Sequence, residues 1–571
     1  MKTHQRSWGI GIFTLAVFAA AWSVPGGPRG QEIRPIFSDR VAAGSDGAAR
    51  DISNTKVEYR LARLADIYKI RGANEARDFA FRREMNLDQN GVQVVVESAD
   101  LPSVLSTFPA AEVVKNVVRA AGGTVELGYK NLVLCRVPVA SLGTVAGHPL
   151  VRYVRQPLSP APQVVSEGVS RIGADLWQSL SPLHTGGTGA NVAVLDVGFG
   201  NSGLLRGSEL PAKITTRSFR ADQDFEVEFH GTACAEIVHD IAPDANLWLV
   251  QFSNDVEHHA AVNWLLTQKI DVISYSIGWF NAGDGLGTGP ICDDVNKAAR
   301  YGILWAGAAG NYAKAHFVGT FNDPDNDGWF EFPDGSEFLQ FRLPAGITAS
   351  VYLNWDDWGT WNGFDYPGSR QDYDLYFYIW DGDAWRLVDE SATVQDGMQW
   401  PAEGVSGQYN ATETMGAIRI YNRSTTRNCT IEAFILGNTG AIANNVPEGS
   451  VLVPGEAEGS ITVGAVDAVD DSYHAYSSRG PTKDGRPKPD LCAPSGVSTS
   501  GLTYGSRAAG LGFYGTSAAT PHVAGALALM KQKTPYTRQQ ILDIIYGRVV
   551  DLGDPGMDNL FGRGRLNLKK K

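Results

Sequence analysis

Cysteine is scarce in this chain, five in 571 residues, and no two stand in a C-x-x-C pair. That spacing usually opens a structural zinc site, so the sequence offers none. Positive charge is in short supply too. The 49 Lys and Arg face 62 Asp and Glu, a net charge of −13 and a pI near 5.3. Such a balance argues against nucleic acid as the main partner. Long apolar runs are also missing. Past the first thirty residues nothing approaches the roughly 20 apolar residues of a membrane span, so none is expected there.

Hydrophobic residues at 43% and charged residues at 19% describe a globular chain with ample material for cores. The length suits about three or four modules rather than one. The 64 glycines fit many turns and close backbone approaches.

Lys2, His4 and Arg6 precede an apolar run over 8–22, with Ala19, Ala20 and Ala21 as small residues for cleavage. Residues 1–23 therefore read as a secretory signal, and the chain is expected to be extracellular. A first module follows over 24–162. Its opening is helical over 56–85 and locally basic, a solvated helical face with no chemistry assigned. Strand 92–96, helix 104–121, strands 124–127 and 132–137, a short helix over 139–146 and strand 151–155 then give a βαββαβ unit over 92–157. Such a unit is a two-layer α+β module with two helices on one sheet face. It ends in a proline-bearing linker at 158–162, expected to be exposed and cleavable.

From 163 to 315 apolar strands alternate with helices: strands at 191–195, 245–250, 271–276 and 302–305, helices at 230–239 and 260–268. The alternation resumes over 439–571, with a strand at 461–466 and helices after Ser517 and at 537–546. This is an α/β pattern, a parallel sheet with helices on both faces, whose functional groups gather at the strands' carboxyl ends. Between the halves, residues 316–438 crowd aromatics into short alternating runs at 328–332, 350–355, 373–380, 417–421 and 429–434. Turn residues separate them, and the stretch reads as an inserted all-β sandwich with its aromatics in the core.

The chemistry concentrates in Gly515-Thr516-Ser517-Ala518-Ala519-Thr520-Pro521-His522. A tight turn delivers Ser517 at a helix N-terminus, where free N–H groups favour developing negative charge. Pro521 fits the first helical turn. His230, in His230-Gly231-Thr232-Ala233, begins a helix after an acidic loop, and Gly231 permits close approach of another segment. Asp196 ends a buried strand, where it can hold a histidine tautomer. Asn311 ends the stretch Gly307-Ala308-Ala309-Gly310 and can aim an amide N–H at an oxyanion. Nucleophile, base, orienting acid and oxyanion donor are thus all present for acyl transfer.

The order Asp, His, Ser and these local sequences resemble the subtilisin-like serine proteases. So do Ser477-Ser478-Arg479-Gly480-Pro481 and Pro489-Asp490. The resemblance covers roughly 165–315 and 445–567. It implies a triad of Asp196, His230 and Ser517 with Asn311 in the oxyanion hole, and a secreted endopeptidase acting on polypeptides without a catalytic cofactor. It also implies that Ser276, Ile277 and Gly278 pair with substrate backbone as an added strand, and that Gly307, Ala308, Ala309 and Gly310 line a specificity pocket. The module before the linker would be a propeptide, an intramolecular chaperone and inhibitor that the enzyme removes from itself. Val197 departs from the pattern, since a hydroxyl residue usually follows the triad aspartate and could hydrogen-bond nearby. The large insertion after Asn311 departs as well. A catalytically silent homologue that binds rather than cleaves, and an esterase with the same trio, are the rival readings.

With the first module removed, four cysteines remain and three pairings are open; free, buried thiols are the alternative. Asp323, Asp325 and Asp327, followed by Gly328, have the alternation that opens a structural Ca2+ loop. An acidic turn reads equally well, since Asp334 stands where the usual glutamate would and strands follow.

Overall fold

The computed structural model describes residues 56–82, 85, 87–99, 110–129, 132–155, 166–179, 186–363, 365–397, 399–409, 412–438, 440–500, 512–532 and 535–569. The expected signal at 1–23, the start of the helix expected from 104 and the linker at 158–162 lie outside them. Two compact units result, one within 34–162 and one within 163–571.

The first unit opens with α1 (Tyr59–Arg71) and α2 (Ala73–Arg82), separated by Gly72 at φ 89°. Then come β1 (Leu87–Asp88), β2 (Gly91–Ser98), α3 (Ala110–Ala120), β3 (Thr124–Tyr129) and β4 (Leu132–Val137). A 3-10 turn leads into α4 (Leu142–Ala146), and β5 (Val151–Arg155) closes the unit. Strand β4 lies between β3 and β2, while β1 and β5 share the other edge of β2, all antiparallel. Alternate residues Val92, Val94, Val96 and Val133, Cys135, Val137 face one core with Val114 and Val118 of α3. Leu61 and Leu64 of α1 and Ala76 and Ala80 of α2 enter that same core. This corrects the expectation of a merely solvated face. Arg63, Lys69, Arg71 and Arg77 are exposed, but apolar residues three and four apart give each helix a buried stripe.

The second unit begins with α5 (Gly168–Ile172) and α6 (Ala174–Ser179). It builds β6 (Asn191–Asp196), β7 (Thr215–Ser218), α7 (His230–Ile241), β8 (Asn246–Gln251), α8 (Asp255–Thr267), β9 (Val272–Tyr275), α9 (Pro290–Arg300) and β10 (Leu304–Ala308). After the aromatic segment, described next, come β19 (Ser460–Asp467), β20 (Leu491–Ser495), α10 (Thr516–Lys531), α11 (Arg538–Gly547), β21 (Val549–Val550) and β22 (Arg565–Leu566). The sheet order is β21-β22-β20-β19-β10-β9-β6-β8-β7, parallel except for the β21/β22 pair. A strand's period of two divides its side chains between the faces. Val192 and Val194 join the core with Ile237 of α7 and Val523 of α10, while Ala193 and Leu195 pack with Leu265 of α8 and Val295 of α9. Both faces are covered, which is why these strands read as continuous apolar runs.

Eight antiparallel strands fill the aromatic segment: β11 (His316–Thr320), β12 (Leu339–Leu343), β13 (Thr348–Trp355), β14 (Asp372–Trp380), β15 (Trp385–Ser391), β16 (Ala402–Gln408), β17 (Thr414–Ser424) and β18 (Thr430–Leu436). They form two four-stranded sheets, β11-β18-β13-β16 and β12-β17-β14-β15, around one core. The run at 328–332 is not a strand. Trp329 makes only an isolated bridge to Tyr421, and Phe330 and Phe332 turn into the core. The segment leaves after β10 and returns before β19, two adjacent parallel strands. It is tied to the sheet's flank by Asn281 Nδ2 donating to Glu403 O at 2.9 Å and Lys483 Nζ at 2.9 Å from Glu432. Phe280 also stacks on Tyr352.

Candidate active site

Asp196 is the last residue of β6 and is fully buried. Its Oδ1 accepts the Val197 N–H at 2.8 Å, so the backbone supplies an anchor although the Val197 side chain carries no hydroxyl. His230 opens α7, and its Nδ1 lies 3.0 and 2.9 Å from the two Asp196 oxygens. Gly231 makes that approach feasible: a Cβ there would lie 2.6 Å from Gly198 O and 2.8 Å from the Asp196 Cβ.

Burial opposes charge on the imidazole, but the Asp196 carboxylate, its hydrogen bond and the Glu228 carboxylate outweigh it and hold His230 above its ordinary value. Glu228 is half-buried, and its own acidity is weakened, first by burial and then by Asp196, against the pull of His230. A general base works only when neutral, so with His230 in that role the acid limb of a kcat/KM profile would follow the His230 pKa. The Glu228→Gln substitution removes a negative charge that favours imidazolium. The limb is expected to move to lower pH, and an unmoved or raised midpoint would contradict the electrostatic coupling.

Ser517 is the second residue of α10 and is buried. The N-cap, Gly515, has φ 109°, a conformation that favours glycine. Its N–H is braced by Ser495 Oγ at 2.9 Å and Tyr476 OH at 3.0 Å. Ser517 Oγ donates to the Ser276 carbonyl at 3.4 Å. Pro521 is the sixth residue of the helix, not part of its first turn, which corrects the expectation. Having no N–H, it leaves the Ser517 carbonyl without its helical donor. Ser276 Oγ at 3.1 Å and Cys234 Sγ at 3.5 Å donate to that carbonyl instead. Cys234 lies one turn along α7 from His230, so this contact joins the imidazole's helix to the serine.

Asn311 follows β10 and is exposed. Its Oδ1 accepts the Thr516 N–H at 2.8 Å and the Thr516 hydroxyl at 3.0 Å. Only an acceptor can meet a backbone N–H, so the amide is fixed with its NH2 group turned elsewhere. Thr516 Oγ1 also accepts the Gly310 N–H at 3.2 Å. Ser276, Ile277 and Gly278 directly follow β9, the first two buried and Gly278 half-buried. Gly307 and Ala308 end β10 within the sheet, and Ala309 and Gly310 extend it.

Asp323 accepts the Asp327 and Gly328 N–H groups at 3.1 and 3.0 Å, and Asp327 accepts that of Trp329 at 2.9 Å. The side-chain oxygens of Asp323, Asp325 and Asp327 lie within 4.8 Å of one another. A second cluster joins His259 Nδ1 to Asp294 at 2.6 Å, with His258 Nδ1 3.3 Å from the same carboxylate. All five cysteines are free and buried, so the pairings give way to the alternative of buried thiols.

Residues 401–564 match Peptidase_S8, the subtilase family, a stretch that contains Ser517. Over that stretch the chain is similar to the subtilases. The chain is 32% identical to Subtilisin Savinase of Lederbergia lenta over 184 residues, 31% of this chain and 60% of that protein. It is 34% identical to the serine protease AprX of Bacillus subtilis over 153 residues, 22% of this chain and 33% of that one. Superposition on the Clostridium perfringens CspB protease covers 70% of this chain and 96% of that one, at 15% identity and a TM-score of 0.47. The chain spans less than two thirds of the length of the relatives it matches.

Several groups around the candidate site escaped sequence reasoning. Thr516 and Glu228 had a local signal, one beside the serine and one two residues before the histidine. Tyr476 and Ser495 had none, because they reach Gly515 only through the fold.

Proposed function

We propose that this chain is a secreted serine endopeptidase made as a self-processed zymogen. The observation that carries the reading is the convergence of a buried Asp196–His230 pair, a serine at a helix N-terminus and an amide held through its oxygen. In this reading Ser517 Oγ turns from the Ser276 carbonyl to His230 Nε2, gives up its proton and attacks the peptide carbonyl. His230 then passes that proton to the leaving amine, while Asp196 holds the Nδ1–H tautomer. The Ser517 N–H and Asn311 Nδ2 receive the oxyanion. Ser276, Ile277 and Gly278 would take substrate backbone as an added strand, and Gly307–Gly310 would border the side-chain pocket.

The unit within 34–162 would serve as propeptide and inhibitor, removed by cleavage near 155–168. Polypeptides are the substrates and no cofactor enters the chemistry. Asp323, Asp325 and Asp327 would hold a structural Ca2+, with Asn326 at φ 62° and Gly328 at φ 93° turning the chain around it. Among the described residues no helix is long and apolar enough to cross a membrane.

Intact mass after exposure to a fluorophosphonate tests the reading. Wild type should gain one adduct and lose about the first 160 residues, whereas Ser517→Ala should gain none and stay unprocessed when purified alone. A processed Ser517→Ala chain would refute self-cleavage, and an unlabelled but folded wild type would refute the serine hydrolase.

A further inference from the structure

We propose that Leu452 fixes which side chain this site accepts next to the scissile bond, by occupying the space where a large one would lie. The inference rests on the peptidase reading and names the substrate class: chains with glycine, alanine or serine on the acyl side of the cleaved bond.

The geometry starts from the reacting atoms. Ser517 Oγ touches the Ser276 carbonyl, and Asn311 is bound to Thr516. An attacked carbonyl between Ser517 and Asn311 therefore lies between the segment that follows β9 and the segment that follows β10. Those strands are adjacent and parallel, and their register ends at Gly307 opposite Tyr275. Beyond that point each extension reaches a glycine, Gly278 on one and Gly310 on the other, where its wall carries no side chain. Two glycines facing a common space would leave a slot for a substrate side chain.

Leu452 fills it. A Cβ built on Gly278 would lie 2.5 Å from Leu452 Cδ1, and one built on Gly310 would lie 3.0 Å from Leu452 Cγ. A single side chain thus abuts both walls. The backbone at 452–453 is fastened to both extensions as well: Leu452 N donates to Ala309 O at 3.0 Å, and Trp279 N donates to Val453 O at 2.8 Å. Leu452 is only 4% exposed, so it is packed in place. A small cavity of about 30 Å³ adjoins it, bordered also by Glu432, Glu456 and Lys483. Leu452 therefore belongs to the partition between this cavity and the two glycine walls, and trimming it adds room.

The test is a series of peptide p-nitroanilides that differ only in the residue before the cleaved bond, alanine against phenylalanine. The processed full-length product is used, with its active fraction counted by fluorophosphonate. A misfit of one methylene already changes kcat/KM by roughly 10–200-fold, so wild type is expected to favour alanine at least about 100-fold. In Leu452→Ala that ratio should fall at least about tenfold; reading a ratio cancels any loss of overall activity. Labelled wild type that prefers phenylalanine overturns the proposal even if the variant fails to fold. So does a folded, labelled Leu452→Ala whose ratio moves less than threefold. Wild type that takes no label fails the peptidase reading, and this inference falls with it. Label with an unchanged preference removes Leu452 alone.

Discussion

Replacing His230 with alanine is expected to lower kcat for peptide hydrolysis by about 10⁶, and Ser517→Ala by a similar factor. The expectation is sharper for the pair. In the proposed mechanism serine and histidine act in one proton transfer, so either deletion removes the same event and the double variant should be no worse than the worse single one. The structure gives a reason to expect unity: Ser517 Oγ is held by a backbone carbonyl until a base claims its proton. A His230→Ala enzyme that retains more than a hundredth of wild-type kcat would exclude the imidazole as base. Multiplying losses in the double variant would mean that the two residues serve separate steps.

The second large effect belongs to Asn311. Asn311→Asp keeps an oxygen for the Thr516 N–H and hydroxyl but has no amide N–H to give an oxyanion. Loss of one such donor costs about 2.7–4 kcal/mol of barrier, or 10²–10³ in kcat. Asn311→Ala should lose a similar amount without introducing charge, which separates the missing donor from a new carboxylate. KM should change little, because the bond forms only as charge develops on the oxygen. A drop under tenfold in kcat, or one confined to KM, would assign Asn311 to positioning instead.

The site's candidates were readable because each stands at the end of an element with a local signal. An apolar run announces β6 and places Asp196 at its edge. Glycine and threonine before an apolar helix announce Ser517. Alternation of strands and helices carried the parallel sheet for the same reason, since two buried faces leave a continuous apolar imprint. What stayed hidden depends on distance along the chain. Leu452 is one more apolar residue until Gly278 and Gly310 are seen on either side of it. Strand β7 is mostly exposed and joins the sheet by backbone pairing, so no hydrophobic period marks it. The run around Trp329 shows the opposite failure: aromatic alternation promised a strand, and packing of Phe330 and Phe332 took precedence over pairing.

Pro521 has one more consequence. A helix usually closes its rungs on itself, so a reactive side chain near its start is aligned only through the packing of the whole rod. Here a rung is left open, and the carbonyl of the serine itself becomes a joint where three members meet. The strand extension that would carry substrate, the rod that carries the imidazole and the rod that carries the hydroxyl share a single oxygen atom. None of them can drift without pulling on the other two, so their alignment is one adjustment rather than three.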